Sequence, residues 1–314
     1  MNALLCREYA DRVIENVSRA IVGKQDVIRK VLITYLAGGH VLLEDVPGTG
    51  KTMLLRAFAR TVGGDFRRIQ FTPDLLPSDL TGINFYNQKS GQFEFRRGPL
   101  FAGVVLADEI NRATPRTQSS LLEAMEEKQI SVDGNTYPLE ANFMVMATQN
   151  PLESYGTFPL PEAQIDRFFM RLSLGYMTRE QEISVLRRGS TADIIERLEC
   201  VVTPEQTREI KRSYAEVTVS DDVAGYLMDL VQKTRTQSAF VQGVSTRGAI
   251  ALYRACQLNA ALSGRDFVIP EDIVEMAPCV LGHRIASGGG ARRKDAEALL
   301  MQMIGQVPVP VERL

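Results

Sequence analysis

His40-Val41-Leu42-Leu43-Glu44-Asp45-Val46-Pro47-Gly48-Thr49-Gly50-Lys51-Thr52-Met53 is the stretch whose reading decides the fold. An apolar run leads into a short Gly/Pro turn that ends in Lys-Thr, and an apolar-rich stretch follows from Met53. A buried strand feeding a tight turn and then a helix directs backbone N–H groups and the positive helix end at one point, which suits phosphate. Lys51 is placed to reach the β- and γ-phosphates of a nucleoside triphosphate and Thr52 to hold Mg²⁺ through its hydroxyl. Pro47, Gly48, Thr49 and Gly50 form the cradle. The general pattern GxxxxGK[ST] has glycine where this chain has Asp45, so Gly48 and Gly50 must supply the permissive backbone and Pro47 the stiffness. An ordinary strand-to-helix turn is the plain alternative, and the strand-loop-helix context weighs against it.

Further apolar runs occur at 103–107, 143–148 and 168–174, and they do not alternate. Such runs suggest strands covered on both faces. Helical spacing over 53–62 and 117–127 separates several of them, so a parallel sheet sandwiched by helices is expected. From about residue 178 the texture changes to helical spacing over 178–188, 204–214, 221–236, 246–262, 270–279 and 292–304. The expectation is an α/β core over 1–177 and a small all-helical domain over 178–314. Two stretches interrupt the core pattern: 83–97 alternates and turns like a hairpin, and 129–142 does so around Asp133-Gly134. They are either decoration or insertions that carry partner contacts.

The run Val104-Val105-Leu106-Ala107 ends in Asp108-Glu109, two carboxylates at the C-terminal edge of a buried strand, where open α/β sheets bind ligands. Alone, such a pair is usually a solvated strand end. Beside a phosphate loop, Asp108 suits support of Mg²⁺ and Glu109 suits orienting and deprotonating the attacking water. A third run ends in Ala147-Thr148-Gln149-Asn150-Pro151. Asn150 either bonds the γ-phosphate or the attacking water, or belongs to a simple Asn-Pro turn, which local sequence favours. Arg247 follows Ser245-Thr246, a helix N-cap pattern, so a cation sits at the positive end of a helix dipole and a bound anion would offset that cost. Arg167 reads locally as a surface ion pair with Asp166, worth under about 1 kcal/mol.

The composition is that of a globular protein: 314 residues, 45% apolar, with 36 basic and 38 acidic residues. The slight negative charge gives no general attraction to phosphodiester backbones, and Arg292-Arg293-Lys294 is the clearest local basic run. Cys6, Cys200, Cys256 and Cys279 are widely spaced, with only His40 and His283 to assist them, which speaks against zinc and for reduced thiols in the cytoplasm. No apolar run approaches the length of a membrane span, and no signal peptide is read.

In this order, the phosphate loop, Leu106-Ala107-Asp108-Glu109-Ile110-Asn111-Arg112-Ala113, Ala147-Thr148-Gln149-Asn150-Pro151, Leu160-Pro161-Glu162-Ala163-Gln164-Ile165-Asp166-Arg167-Phe168 and Ser245-Thr246-Arg247 resemble the MoxR family of AAA+ ATPases. The similarity runs from Ile21-Val22-Gly23-Lys24 to Leu281-Gly282-His283-Arg284. It implies a P-loop core and a helical lid with ATP and Mg²⁺ between them, assembled as a homo-oligomeric ring, usually a hexamer. By motif, Asn150 resembles sensor 1, Arg247 the lid's sensor 2, and Arg167 the arginine finger that reaches a neighbour's site; Val22 and Gly23 match the adenine-pocket segment. The two hairpins correspond to insertions that face the ring's pore or top surface. The resemblance further implies chaperone-like remodelling of a client protein, paired with a separate protein carrying a von Willebrand factor A domain. A nucleic-acid motor and a nucleotide-gated scaffold with little hydrolysis are the alternatives; the acidic balance opposes the first and the set Glu109, Asn150 and Arg167 opposes the second.

Overall fold

The computed structural model describes residues 2–46, 48–149, 156–238, 240–287 and 293–310. In chain order the elements of the first part are α1 (Ala3–Ser18), α2 (Gln25–Leu36), β1 (Val41–Glu44), α3 (Lys51–Val62), β2 (Phe66–Gln70), α4 (Pro77–Thr81), β3 (Gly82–Asn87), β4 (Gln92–Arg97), β5 (Val104–Asp108), α5 (Pro115–Glu127), β6 (Gln129–Val132), β7 (Asn135–Pro138), β8 (Met144–Gln149), α6 (Glu162–Ile165) and β9 (Met170–Leu172). There follow α7 (Arg179–Arg188), α8 (Thr191–Glu196), α9 (Pro204–Ser213), α10 (Asp221–Thr236), β10 (Phe240–Gln242), α11 (Thr246–Leu262), α12 (Pro270–Leu281), β11 (Ala286–Ser287) and α13 (Arg293–Ile304).

Five parallel strands form the main sheet in the order β2-β5-β8-β1-β9. Its three central strands are those expected from apolar runs, and period-two alternation divides their side chains between two cores. Val41, Leu43, Val104, Leu106, Met144 and Met146 point into one core, whereas Leu42, Val105, Ala107, Val145 and Ala147 point into the other. The first core is continuous with α1, α2, α3 and the later helices; the second is covered by α5 and the segments around it. Both faces of the sheet are therefore dry, which is why these strands carry apolar runs instead of alternation.

Two corrections to the expected layout follow. The helical part also contains a short antiparallel ribbon, β10 with β11, whose two- and three-residue strands are too short to leave a periodic signal. And α1 and α2, unread in the sequence, form the shelf on which α11 rests. Arg29 of α2 donates to the Asn259 side chain at 3.1 Å, the Asn259 carbonyl at 3.0 Å and Ser263 Oγ at 2.7 Å, tying that shelf to α11. Both hairpins form as expected, with Asp133 and Gly134 at φ 51° and 81° making the tight turn between β6 and β7. The side chains of the basic run 292–294 lie outside the described residues. Among the described residues no helix is long and apolar enough to cross a membrane.

His40, at the entrance to β1, has a structural role. Its Nδ1 accepts from the Val145 N–H at 3.0 Å, which leaves the Nε2 proton to donate to the Met125 carbonyl at 3.0 Å. Burial, opposed in part by the Met125 bond, lowers its pKa from 6.5 to about 4. An unfolded chain would take a proton near pH 6.5 that the native chain refuses. Stability contributed by this site is thus complete above pH 6.5 and declines as pH falls from 6.5 to 4, by on the order of 3 kcal/mol. Urea midpoints across that interval should fall more steeply for the native chain than for His40→Gln; equal slopes would remove His40 from the acid-sensitivity of the fold.

Candidate nucleotide site

The loop after β1 turns through Gly48 and Gly50, both left-handed with φ 85° and 91°, and a Cβ built on either meets nothing within 4 Å. The glycines thus serve backbone conformation and open access above the loop, since no neighbour crowds them. Gly50 caps α3, whose first residues are Lys51 and Thr52. Lys51 Nζ donates to the Asp45 carbonyl at 3.1 Å and to the Val46 carbonyl at 3.3 Å, so the ammonium is parked on the loop's own acceptors. Gly48, Thr49, Gly50, Lys51 and Thr52 line one cavity of about 410 Å³ with Asp108 and Glu109. Pro47 and Asn150 lie outside the described residues.

Strand β5 delivers the acidic pair to that cavity. Asp108 ends the strand, accepting from Thr148 Oγ1 at 2.6 Å and from Arg68 Nη2 at 2.6 Å. Glu109 departs from the strand at φ 57°, a left-handed conformation uncommon for a residue with a side chain. Its N–H is held by Thr148 Oγ1 at 2.8 Å, and that bond stabilises a turn which swings the carboxylate over the cavity. Glu109 Oε2 accepts from Gln70 Nε2 at 2.7 Å and pairs with Arg112 Nε at 3.0 Å. Arg68 and Gln70 are site residues that sequence reading missed. They stand two apart on β2, hence on one face, and the register Gln70 to Asp108 brings them to the acidic pair. Alternation of Arg68 and Gln70 around buried Ile69 was the available signal for an edge strand.

The cavity fits a magnesium-bound triphosphate: it gathers a lysine held by backbone carbonyls, a hydroxyl, two carboxylates and an open glycine turn at a helix N-terminus. Thr52 and Asp108 are the residues able to hold the metal. Arg68 Nη2 pairs with Asp108 Oδ2 at 2.6 Å, beside the position such a metal would take.

Arg167 and Arg247 stand elsewhere. They line a second cavity of about 520 Å³ with Gly38, Gly39, His40 and Glu126, at the N-terminal edge of the sheet, whereas the phosphate loop lies beyond the C-terminal end of β1. Glu126 joins the two: its Oε2 pairs with Arg167 Nε at 3.1 Å and its Oε1 with Arg247 Nη2 at 2.5 Å. The N-cap reading at Ser245 holds, with Ser245 Oγ accepting from the Gly248 N–H at 3.1 Å. The same hydroxyl donates to Asp166 Oδ2 at 3.0 Å, and Arg284 Nε donates to Asp166 Oδ1 at 2.7 Å. These bonds dock the start of α11 beside Arg167 and keep Arg247 out of its own chain's phosphate cavity, where the resemblance had implied it. Val22 and Gly23 line neither cavity; Gly23 lies against the Gln181 side chain at the start of α7.

Comparison with known proteins agrees with this architecture. Residues 40–170 match the ATPase family associated with various cellular activities (AAA), and residues 232–302 match the AAA lid domain. The uncharacterised protein YeaC of Bacillus subtilis is 49% identical over 96% of this chain and 95% of its own length. Chaperone MoxR1 of Mycobacterium tuberculosis is 40% identical over 88% of this chain and 75% of its own length, and the protein MoxR of Methylorubrum extorquens is 32% identical over 89% and 88%. A solved structure from Cytophaga hutchinsonii, provisionally assigned as an ATPase, is 40% identical and superposes with a TM-score of 0.90 over 99% of this chain and 97% of that one. With two relatives bearing that name matched over nearly nine-tenths of its length, the chain belongs to the MoxR family of AAA+ ATPases.

Proposed function

We propose that the chain hydrolyses ATP with Mg²⁺ in a ring, hexameric as in the family, where each phosphate cavity is completed by Arg167 and Arg247 of the adjoining protomer. The observation that carries this reading is the separation of those arginines from their own phosphate loop. The four residues of β1 lie between the two edges, a length of roughly 13 Å at about 3.3 Å per residue, beyond the reach of an arginine side chain across the sheet. Both side chains remain substantially accessible, at 34% and 50%. Arg254 and Lys128 add positive charge to the same cavity, while Asp166 is already engaged by buried Arg284. Such a surface suits an anion presented from outside, and a head-to-tail contact of this kind closes into a ring.

In this reading Asp108 and Thr52 hold the metal, Lys51 moves from the loop carbonyls to the phosphates, and Glu109 takes the proton of the attacking water. Magnesium, when bound, neutralises charge on the phosphates. Asn150 and the Val22-Gly23 segment complete the set as γ-phosphate sensor and adenine contact. Turnover per protomer should rise with protein concentration and level off as sedimentation reports full assembly. Constant specific activity through dissociation would overturn the shared-site reading.

We further infer that the output is chaperone-like remodelling, in keeping with the name of the Mycobacterium tuberculosis relative, with a separate von Willebrand A-type protein as partner. The hairpins supply a surface for it. Tyr86 and Phe93 are 54% and 75% exposed on the β3–β4 hairpin, and Phe95 of the same hairpin stacks on Tyr137 of β7 with ring centroids 4.2 Å apart. That stack joins the two insertions into one packed surface. Glu109→Gln protein, locked with ATP, should capture the partner from lysate, and adding Phe93→Ser should lower the recovery at least about threefold. Equal recovery would place the contact elsewhere.

A further inference from the structure

Residues 173–178 carry the chain from β9 to α7, out of the sheet and into the helical part, and this connector is gripped from two sides. From one side comes Asp45, where the general phosphate loop has glycine. Its Oδ1 accepts from Ser173 Oγ at 2.7 Å and from the Gly175 N–H at 3.1 Å, and its Oδ2 accepts from the Leu174 N–H at 2.7 Å. From the other comes Lys24, whose Nζ donates to the carbonyls of Leu174 at 2.5 Å and Tyr176 at 2.9 Å. Both side chains belong to buried residues, at 6% and 9% exposure. Each grip satisfies backbone groups of the connector with a full charge, the stronger class of hydrogen bond.

The grips originate in the two segments assigned to nucleotide. The backbone carbonyl of Asp45 holds Lys51 Nζ, so one residue binds the phosphate-seeking lysine with its main chain and the connector with its side chain. Lys24 directly follows Val22-Gly23, and Gly23 lies against Gln181, whose side chain caps Thr178 at the start of α7. Gly23 has φ 68°, the left-handed region that favours glycine, and a Cβ there would displace that amide. Departure of Lys51 for a phosphate would remove a charged donor from the Asp45 carbonyl, and a turn of that peptide would act on the connector through the Asp45 carboxylate. Resting on the reading of the loop as the ATP site, we propose that Asp45 and Lys24 are positioning residues that transmit nucleotide occupancy to the core–lid connector.

Asp45→Gly restores the general loop residue and tests this directly. Amide hydrogen exchange over 173–181, with and without a non-hydrolysable ATP analogue and Mg²⁺, should be ATP-sensitive in the native protein. In Asp45→Gly the connector should exchange about tenfold faster or more. With the analogue at saturating concentration, the connector of this variant should no longer respond to it. Asp45→Asn, keeping one acceptor oxygen, should restore part of the response, and Lys24→Met should abolish it from the opposite side, which covers the case of a misfolded glycine variant. An undiminished response in both Asp45→Gly and Lys24→Met overturns the proposal, as does a native connector indifferent to bound analogue. Failure of the native protein to bind the analogue at all would instead refute the ATP-site reading beneath it.

Discussion

Arg167→Ala should bind ATP, assemble, and lose turnover by a factor of about 10³ to 10⁵, the range associated with an arginine supplied across an NTPase interface. The side chain is partly exposed and pairs only with Glu126 among the contacts described, at 3.1 Å, so its removal costs little folding energy. Among the described residues, it is not part of the lining of its own phosphate cavity. A large catalytic loss without loss of nucleotide affinity therefore has one source in this account, the missing cation beside a neighbour's phosphates. Arg247→Ala should behave alike, because Glu126 holds both arginines in a single cluster. Steady-state turnover, analogue binding and sedimentation on the same preparation separate the three quantities; full turnover in Arg167→Ala would end the assignment.

Glu109→Gln should retain ATP and hydrolyse it about 10² to 10⁴ times more slowly, the usual contribution of a positioned general base. The change is conservative in shape. An amide oxygen can still accept from Gln70, which donates to the native carboxylate at 2.7 Å, and the Thr148 bond to the Glu109 N–H, at 2.8 Å, is independent of the side chain, so the strained turn is kept. What disappears is the negative charge that pairs with Arg112 at 3.0 Å and, with it, the capacity to take a proton. Single-turnover rates with bound ATP measure this step apart from binding, and a rate within twofold or so of the native one would move the base elsewhere.

How far these features could be read in the chain varies with how local their causes are. The central strands and the loop between β1 and α3 were legible because burial on both faces forces apolar runs, and phosphate binding forces glycines beside Lys51. Strand β2 was not, since it lies at the sheet edge where Arg67, Arg68 and Gln70 face solvent and only Ile69 is buried. Its partnership with Asp108 and Glu109 follows from strand order, which no local pattern encodes. For Arg247 the helix N-cap was visible, yet its distance from the phosphate loop depends on how α11 docks. That docking is fixed by Asp166 with Ser245 and Arg284 and by Arg29 with Asn259, contacts between residues far apart in sequence. Asp45 looked like a blemish in a motif; its three acceptor bonds to the connector give it a purpose that only the fold reveals.

The central claim is that catalysis is shared between neighbours, and mixing two inactive variants tests it most directly. Lys51→Ala lacks a working phosphate loop but keeps Arg167, and Arg167→Ala has the reverse defect. In random mixed rings about a quarter of interfaces pair an intact loop with an intact arginine. The account predicts that equal mixing restores turnover toward that fraction of the native rate, while either protein alone stays inactive; a mixture as inactive as its components would contradict it.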